Sequence, residues 1–278
     1  MQISLITTTY NRPEVLKIQL HDIFNQSVLP DEIIIADDGS IDITRKMISE
    51  ESKHTHIPIK HVWHEDTGWN VSTIRNKAIA VATGDYIILV DDHMGLHHNF
   101  IKDHLRHSME NIFIQGSRVM LGENITRKYI DGFRKINIFS RDIENRLKAF
   151  YCPVIDIIFA HKTRSLKSTK TCNMSFWKKN ALKVNGLNED FVGWGREDTE
   201  FAARLINSGI LRTNIKFSAT TYHLYHKRNN NVNKNININE SILNNTIINK
   251  LTRCGNGIDK HIDSQNRNFI VYTYNDRN

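Results

Sequence analysis

The sequence has few cysteines and lacks the glycine-rich motifs that most often hold a dinucleotide or a triphosphate. Three cysteines, Cys152, Cys172 and Cys254, stand far apart in 278 residues. An odd, scattered set argues against a disulfide framework and against a zinc cluster, so we expect reduced cysteines with structural roles. No GxGxxG follows the first predicted strand and no GxxxxGKS/T occurs, which excludes a dinucleotide fingerprint and a P-loop.

Long hydrophobic runs are also missing. No uncharged apolar stretch reaches the length that crosses a bilayer. The apolar start at residues 3–6 is too short for a signal peptide and lacks its basic flank, so we expect a cytoplasmic protein. Hydrophobic residues make up 40% of the chain, enough to bury a substantial core in one large domain or two small ones.

The chain has no excess of acidic residues, and its net charge of +7 and pI near 9.2 predict an anionic partner. Nucleic acid, an anionic membrane face and a phosphorylated sugar substrate all suit this charge. No zinc finger, RRM signature or aromatic-basic repeat accompanies it, so we expect no nucleic acid. A solvated basic face without a ligand is the alternative. The excess is concentrated in Lys162, Arg164, Lys167, Lys170, Lys178, Lys179 and Lys183.

Short β-rich runs alternate with helical patterns in the first ninety residues, which predicts an α/β fold with a mainly parallel sheet covered by helices. Asn11 is predicted to cap the first helix, with Pro13 in its first turn. A later helix begins near residue 72 and is predicted to end at Gly84. The predicted strands are residues 2–8, 32–36, 59–63 and 86–90.

Two of these strands end in paired aspartates, at residues 37–38 and 91–92. Ligands of open α/β sheets bind outside the carboxyl ends of the strands, so both pairs are predicted to face one crevice. A single pair followed by Gly-Ser is also ordinary turn chemistry. The second pair continues into His93, and carboxylates with an imidazole at a strand end can hold a divalent cation.

Two further imidazoles, His223 and His226, follow a strand-like stretch at residues 211–219. They stand three residues apart and are candidates for the same cation. The histidines at positions 97, 98, 104 and 107 are predicted to lie on a solvated helix face.

Residues 193–200 form the most distinctive stretch of the chain. Trp194 stands between two glycines and is followed by the carboxylates Glu197, Asp198 and Glu200, then by an amphipathic run that Gly209 ends. The acids are therefore predicted to lie on the first turn of a helix and to line a site. The alternative is that they only cap the helix, because acids are stabilising at any helix N-terminus.

The remaining segments give weaker signals. Residues 121–171 are polar and basic, with one apolar island at residues 154–160, and can form either a mobile substrate loop or a membrane-facing surface. Asparagine becomes very frequent from residue 229. This composition predicts a linker to a small appendage, with a helix at residues 241–251 and a strand at residues 269–274.

The motifs resemble, in their order and spacing, those of family 2 glycosyltransferases with the GT-A fold. The matching motifs are TTTYNR at residues 7–12, DDGS at 37–40, RN at 75–76 and DDH at 91–93. NMSF at residues 173–176 and GWGRED at 193–198 are similar to the C-terminal half shared by β-1,4-galactosyltransferases and bacterial chondroitin-type polymerases. The resemblance covers residues 1–228.

This resemblance implies a Rossmann-like, mixed, mainly parallel sheet with helices on both faces. It implies a catalytic domain at residues 1–228, with a nucleotide-binding half (1–95) and an acceptor-binding half (96–228), and an Asn-rich extension at 229–278. The implied nucleotide-binding residues are Thr8, Tyr10, Asp37, Asp38, Arg75, Asp91 and Asp92. Asp91, Asp92, His93, His223 and His226 would bind Mn²⁺ or Mg²⁺. Trp194 and Gly195 would bind the acceptor, and Asp198 would be the catalytic base beside Glu197.

The implied reaction is an inverting, metal-dependent transfer of a galactose-, N-acetylgalactosamine- or N-acetylglucosamine-type sugar from a UDP-sugar. The implied acceptor is a hydroxyl of a bacterial surface glycan, such as a lipid-linked oligosaccharide, lipopolysaccharide or capsule. The basic excess fits peripheral contact with the anionic inner face of the cell membrane.

One residue departs from the family pattern, because His93 stands where the metal motif has an aspartate. Imidazole is an acceptable Mn²⁺ ligand but lowers the negative charge that holds the ion. A non-catalytic sugar-nucleotide-binding subunit or sensor is therefore the main alternative. A nucleotidyltransferase is a second alternative, for which residues 7–12 lack the basic or glycine-rich character that holds a triphosphate.

Overall fold

The centre of the fold is a sheet whose inner strands are buried on both faces, as the aliphatic runs in the sequence require. The computed structural model describes residues 1–227, 235–263 and 268–275. The strands are β1 (Ile3–Thr9), β2 (Glu32–Asp37), β3 (Ile59–Trp63), β4 (Tyr86–Asp91), β5 (Met94–Leu96), β6 (Ile112–Gln115), β7 (Ser117–Leu121), β8 (Ile143–Glu144), β9 (Lys162–Thr163), β10 (Asn173–Trp177), β11 (Leu211–Asn214), β12 (Thr220–His223) and β13 (Ile270–Tyr274).

Helices cover both faces of this sheet. They are α1 (Pro13–Phe24), α2 (Asp42–Glu51), α3 (Val71–Val81), α4 (Phe100–Arg106), α5 (Glu123–Ile130), α6 (Pro153–Phe159), α7 (Lys178–Lys183), α8 (Glu197–Asn207), α9 (Ile236–Ile248) and α10 (Asp259–Ile262). Helices α1, α2 and α4 bury their apolar residues in the core on one face. Helices α3, α7 and α8 do so on the other. Within the described residues, none of the helices is both long enough and apolar enough to cross a membrane.

The large sheet has the strand order β13-β3-β2-β1-β4-β10-β6-β11-β9. Strands β3, β2, β1 and β4 are parallel, whereas β10 is antiparallel to both β4 and β6. The predicted α/β fold, with a mixed sheet and helices on both faces, is confirmed. The parallel pairing aligns the strand ends: Thr8 pairs with Asp91, and Thr9 pairs with Asp37. Both aspartate-bearing ends therefore lie at one edge of the sheet, as the sequence predicted.

A second, four-stranded sheet has the order β5-β12-β7-β8. Its pairing sets His223 opposite Met94, and the backbone N–H of Leu224 donates to the carbonyl oxygen of His93 at 3.0 Å. Two histidines more than a hundred residues apart in sequence are thus brought side by side by strand register.

The C-terminal segment forms part of the same fold instead of a separate appendage. Strand β13 extends the large sheet beyond β3, α9 packs on α8, and α10 packs on α3. Buried Leu243 and Ile258 supply the apolar contacts that this packing requires. The predicted helix and strand are both present, and the Asn-rich linker predicted from residue 229 lies largely outside the described residues.

Two predictions about helix ends were wrong. Asn11 does not cap α1; its backbone has φ 51°, and its Oδ1 accepts a hydrogen bond from the N–H of Ile41 at 2.9 Å. Helix α3 ends at Val81, three residues before Gly84. Gly84 is needed for a close approach to β1, because a Cβ there would lie 2.6 Å from the Ser4 hydroxyl oxygen.

The histidine face predicted on α4 is not solvated as a whole. His104 is fully buried, and its two ring nitrogens lie 2.8 Å from the Ser175 hydroxyl and 2.9 Å from the Asn173 amide oxygen. Burial lowers the pKa of His104 to about 4. Helix α4 lies against β10, which turns this imidazole into the core.

Buried Arg204 makes α8 sensitive to a single substitution. Its guanidinium donates two 2.7 Å hydrogen bonds to Glu200 and also binds the carbonyl oxygens of Val184 and Gly186. We expect Arg204→Ala to lower the free energy of unfolding by about 3–5 kcal/mol, because it leaves the Glu200 carboxylate buried without its partner. Urea denaturation followed by circular dichroism measures this loss.

A matched control exists on α5, where Arg127 pairs with Glu123 at the same helical spacing but in solvent. Exposed helix pairs of this kind contribute only about 0.3–0.5 kcal/mol, so Arg127→Ala should leave the urea midpoint nearly unchanged. Equal losses for the two variants would contradict the prediction.

Candidate active site

Arg75 joins the strand-end aspartate to the acidic turn. Its Nη2 donates to Asp91 Oδ1 at 2.8 Å, and its Nη1 lies 3.4 Å from Asp198 Oδ1. The guanidinium is almost fully buried, while the two carboxylates keep 20% and 23% of their side-chain surface exposed. Residues from β4, α3 and α8 therefore meet in one place, as the sequence predicted for the acidic turn and the strand-end pair.

Arg75 and Asp91 each favour the ionised form of the other. Burial lowers the pKa of Arg75, but the charges of Asp91, Asp198 and Glu197 outweigh burial and hold it above its ordinary value. Burial likewise raises the pKa of Asp91, yet Arg75 and His93 hold it below its ordinary value. Asp91 also accepts a 3.0 Å hydrogen bond from the Thr8 hydroxyl, so the end of β1 is tied to the end of β4.

An unusual turn delivers the acids of α8. Gly193, Gly195 and Arg196 have φ values of 73°, 117° and 77°, which reverse the chain immediately before the helix begins. The Gly195 N–H donates to Glu197 Oε2 at 2.9 Å, so Glu197 caps the turn. Burial, followed by the charge of Asp198, raises the pKa of Glu197 to about 7. The capping alternative therefore describes Glu197, and Asp198 is the carboxylate that points to the crevice residues.

Asp198 is held from two sides. The Thr171 hydroxyl donates to Asp198 Oδ1 at 2.5 Å, on the same oxygen that faces Arg75. Within the described residues we find both of its hydrogen bonds on Oδ1, which leaves Oδ2 available to a ligand. A partly exposed carboxylate fixed at one oxygen has the arrangement that a general base requires.

Three imidazoles form a cluster beside the strand ends. The ring centroids of His93 and His223 are 4.7 Å apart, and each lies 5.2 Å from that of His226. One nitrogen from each ring lies within 4.8 Å of the other two. Among the described residues, the buried Nδ1 of His223 has no hydrogen-bond partner. Three clustered imidazoles, one of which has a buried nitrogen without a partner, fit a bound cation.

The protonation state also suits metal binding. Burial, followed by the charge of His93, lowers the pKa of His223 to about 3, and the same two causes lower that of His226. Neutral imidazole is the form that coordinates a metal. Asp92 accepts from the Thr9 hydroxyl at 2.8 Å and lies 3.3 Å from His93 Nδ1, so it can orient that ring.

Two aspartates of the predicted metal set are not part of this cluster. Asp91 is engaged by Arg75 and Thr8, and Asp92 contacts Thr9 and His93. The structure brings the three imidazoles together and sets both aspartates next to them. Direct metal ligation by Asp91 and Asp92 stays a prediction.

The two aspartates at the end of β2 are satisfied within the protein. Asp37 is fully buried. Its Oδ1 accepts a hydrogen bond from the Ser40 N–H, and its Oδ2 lies 2.8 Å from His61 Nε2. Asp38 lies 2.8 Å from His64 Nε2 and accepts from the Asn70 N–H at 3.0 Å. In this structure both hold the loops around the crevice, and their contacts with a nucleotide stay predictions.

Two exposed aromatic side chains border the site. The Tyr10 hydroxyl donates to Asp66 at 2.7 Å, and this hydrogen bond raises the pKa of Tyr10. Trp194 has 48% of its surface exposed on the turn that carries Asp198. Exposed aromatic rings are suited to stacking on a base or a sugar. The nucleotide role of Tyr10 and the acceptor role of Trp194 stay predictions.

The sequence analysis did not identify the residues on α9 that hold the acidic turn in place. Asn239 is fully buried, and its Nδ2 donates to the carbonyl oxygens of Gly195 at 3.0 Å and Val192 at 3.3 Å. Glu240 forms an ion pair with Arg196. Thr171, which binds Asp198, was also missed. No local pattern could have revealed these contacts, because the partners lie 27 to 47 residues apart.

The raised pKa of Glu197 predicts a pH-dependent loss of stability. The folded-state value is about 7, against an ordinary value of 4.5. Because the folded-state pKa is higher, the folded protein holds this proton more tightly than the unfolded chain does. At low pH the carboxyl is protonated in both states and does not destabilise the fold. As pH rises from about 4.5 to about 7, the free energy of unfolding falls. The loss is at most about 3 kcal/mol at neutral pH. We expect Glu197→Gln to remove it, measured by urea denaturation across this range.

A control separates this effect from the loss of one negative charge. Asp190 is an exposed carboxylate in the same stretch of chain. The stability of Asp190→Asn should follow that of the wild type across the pH range, whereas the Glu197→Gln advantage should grow. Parallel pH profiles for the wild type and Glu197→Gln would show that Glu197 is not responsible.

Comparisons with known proteins agree with this geometry. The family model for glycosyl transferase family 2 matches residues 4–165, and the model described as the N-terminal domain of galactosyltransferase matches residues 155–227. The mannosyltransferase PcManGT from Pyrobaculum calidifontis, solved with GDP-Man and Mn²⁺, superposes with a TM-score of 0.55 at 15% identity, covering 82% of this chain and 58% of that one. S. aureus TarS superposes with a TM-score of 0.58 at 16% identity, covering 90% and 40%. At these identities the superpositions show the fold alone.

Curated relatives are similar over most of the chain. Chondroitin synthase of Escherichia coli is 27% identical, covering 80% of this chain and 34% of its own length. Hyaluronan synthase of Pasteurella multocida is 28% identical, covering 74% and 23%. Validoxylamine A glucosyltransferase of Streptomyces hygroscopicus subsp. limoneus is 25% identical, covering 76% and 49%. The chain thus spans less than half the length of these relatives. Because the first family model matches more than half of the chain, the protein belongs to glycosyl transferase family 2.

Proposed function

We propose that the protein is an inverting, metal-dependent glycosyltransferase that moves a sugar from a UDP-sugar to a hydroxyl of a glycan. The observation that carries the proposal is the position of Asp198. Its carboxylate is fixed through one oxygen by Thr171 and Arg75 and lies beside the strand end that carries Asp91. A base is thereby held next to the edge of the sheet where nucleotides bind in open α/β folds.

The proposed chemistry needs that base because a sugar hydroxyl is too weakly acidic to attack unaided. Asp198 accepts the hydroxyl proton as the oxygen reaches the anomeric carbon, which contributes about 10²–10⁴-fold to the rate. Attack from the face opposite the departing nucleotide inverts the configuration, so an α-linked donor gives a β-linked product. Arg75 helps to fix the orientation of the Asp198 carboxylate.

His93, His223 and His226 would hold the divalent cation. When bound, the ion neutralises charge on the departing diphosphate as a Lewis acid. Three imidazoles suit a transition metal better than Mg²⁺, so Mn²⁺ is the ion we propose of the two. His93 belongs to the imidazole cluster, so its replacement of an aspartate is compatible with metal binding and gives no support to a degenerate site.

The proposed donor and acceptor rest on the resemblance to the family and on its relatives. A galactose-, N-acetylgalactosamine- or N-acetylglucosamine-type donor is proposed, with a bacterial lipid-linked oligosaccharide, lipopolysaccharide or capsule glycan as acceptor. The chondroitin and hyaluronan synthases among the relatives support a polysaccharide product. Transfer on the cytoplasmic side of the membrane completes the proposal.

Replacing the base tests the reaction directly. We expect Asp198→Asn to lower kcat for acceptor-dependent UDP release by about 10²–10⁴-fold, because the variant loses the proton acceptor. UDP affinity, measured by calorimetry, should stay within a few-fold of the wild type. The assay uses a panel of UDP-sugars with Mn²⁺ and oligosaccharide acceptors.

Asp190→Asn, an exposed carboxylate variant near the same turn, is the control and should retain wild-type turnover. Near-wild-type turnover in Asp198→Asn would remove Asp198 from the mechanism. Failure of the wild type to release UDP from every donor would oppose the transferase proposal itself.

The metal site has a test that does not depend on activity. We expect His223→Ala and His226→Ala each to weaken Mn²⁺ binding by about tenfold or more, because each removes one of three ligands. Electron paramagnetic resonance of free Mn²⁺ measures the titration. His54→Ala, at an exposed histidine of the turn after α2, is the control. Unchanged binding in both cluster variants would place the ion elsewhere.

A further inference from the structure

Helix α6 presents an apolar face to solvent. Val154, Ile157, Ile158 and Phe159 are 65%, 61%, 72% and 64% exposed. Positions 154, 157 and 158 follow the spacing that lines up one side of an α-helix. Four large apolar side chains are thus left uncovered in two helical turns, which is far from the scattered exposure that needs no explanation.

The opposite face of α6 is firmly attached to the protein. The carboxylate of Asp156 is buried and accepts hydrogen bonds from the N–H groups of Lys216 at 2.9 Å and Phe217 at 3.0 Å, and from the Ser218 hydroxyl at 2.6 Å. The Cys152 N–H donates to the carbonyl oxygen of Phe217 at 2.8 Å. These bonds prevent the helix from rotating its apolar face inward without losing the partners of a buried carboxylate.

The surface that continues from α6 is basic. Between residues 153 and 170 the one acidic residue is Asp156, whose charge is already used by the loop at residues 216–218. The same stretch contains Lys162, Arg164, Lys167 and Lys170. Across residues 121–171, eleven lysines and arginines stand against five acids, which accounts for nearly all of the net charge of +7.

We propose that α6 and the basic stretch at residues 161–170 form a docking surface for an anionic membrane. An apolar helix face buried at the headgroup boundary, next to cations that attract acidic lipids, is the composition of helices that lie in a membrane interface. The four apolar side chains enter the boundary region, and the lysines and arginines contact lipid phosphates. The surface is an anchor that lies on the bilayer.

Other occupants fit this surface less well. A second copy of the chain, packed through the same face about a two-fold axis, would set the basic stretches of both copies against each other. A nucleic acid would use the cations but would leave the four aliphatic and aromatic side chains in water. Charge and apolar area together favour an acidic lipid surface.

The docking surface leads directly to the candidate active site. From α6 the chain runs through β9 to Thr171, whose hydroxyl binds Asp198. Because Lys170 of the basic stretch directly precedes Thr171, docking would turn this side of the candidate active site towards the membrane, where a lipid-linked acceptor presents its sugar. This link to catalysis depends on the proposed function, whereas vesicle binding does not.

Vesicle flotation of the full chain tests the proposal. We expect the wild type to float with vesicles of phosphatidylcholine and phosphatidylglycerol, and to remain unbound with phosphatidylcholine alone. The triple variant Val154→Ser, Ile157→Ser, Ile158→Ser should bind about tenfold more weakly, because it removes the inserted face. The charge variant Lys162→Gln, Arg164→Gln, Lys167→Gln should also bind more weakly, and wild-type binding should fall with added salt.

The matched control is Ile247→Ser with Ile248→Ser on α9, two apolar residues that are also exposed but lie outside the surface. It should bind vesicles as the wild type does. The charge variant leaves α6 intact and keeps the test valid if the triple variant fails to fold.

Several results would overturn the proposal. One is equal binding of the wild type and both surface variants, and another is absence of wild-type binding to acidic vesicles. Light scattering that shows a dimer which the triple variant loses would assign the face to a second copy. Salt-sensitive RNA retention that is lost in the charge variant, without lipid binding, would assign the surface to nucleic acid.

UDP-sugar hydrolysis by the triple variant would show that the active site is intact, so failure of docking and failure of the transferase proposal are separable.

Discussion

The buried guanidinium of Arg75 is the interaction on which the arrangement of the site depends. A cation taken out of water costs several kcal/mol unless it is paired well. Asp91 and Asp198 provide that pairing from the end of β4 and the start of α8. Helix α3 is fixed in turn by Asn76, which donates to the carbonyl oxygen of Leu187 and to Glu189. The relative positions of three elements are therefore set by one charge.

The site separates two kinds of electrostatic environment. Around Arg75, the positive charge of the guanidinium holds the pKa of the Asp91 carboxyl below its ordinary value, and hydrogen bonds fix the positions of Asp91 and Asp198. In the imidazole cluster, burial lowers the pKa of His223 to about 3 and also lowers the pKa of His226, so these two rings are held neutral. Asp92 contacts His93 and accepts a hydrogen bond from the Thr9 hydroxyl. Under the proposed function, the cation would lie at the imidazole cluster and would neutralise the diphosphate of the donor in a crevice that already contains fixed carboxylates.

The central strands, the edge at which they end and the start of α8 could be predicted from the sequence, because each has a local signal. Strands β1, β2 and β4 are rich in aliphatic residues, and parallel strands necessarily bring their carboxyl ends to one edge. The start of α8 was readable because glycines flank Trp194. Contacts without a local signal were missed: the Thr171 hydroxyl on Asp198, and the buried position of His104, depend on how β10 pairs with β4 and β6. Gly84 was misread because its role is a close approach to Ser4, which only the packed structure reveals.

The C-terminal segment shows most clearly how a distant part of the chain can control a local geometry. The acidic turn contains Arg196 with φ 77°, a conformation that is unfavourable for a residue with a side chain. It persists because Glu240 pairs with the Arg196 side chain and Asn239 binds the Gly195 carbonyl oxygen from α9.

The start of the same stretch is held by α10, where His261 Nε2 and Lys260 Nζ each lie 2.8 Å from Glu189. Glu189 also accepts from Asn76, the neighbour of Arg75. The strained turn is thus bound at both ends by one segment, and the orientation of Asp198 follows from contacts that the motif itself does not contain. The GWGRED motif therefore does not by itself fix the orientation of Asp198, the proposed base: contacts from α9 and α10 help to hold the turn.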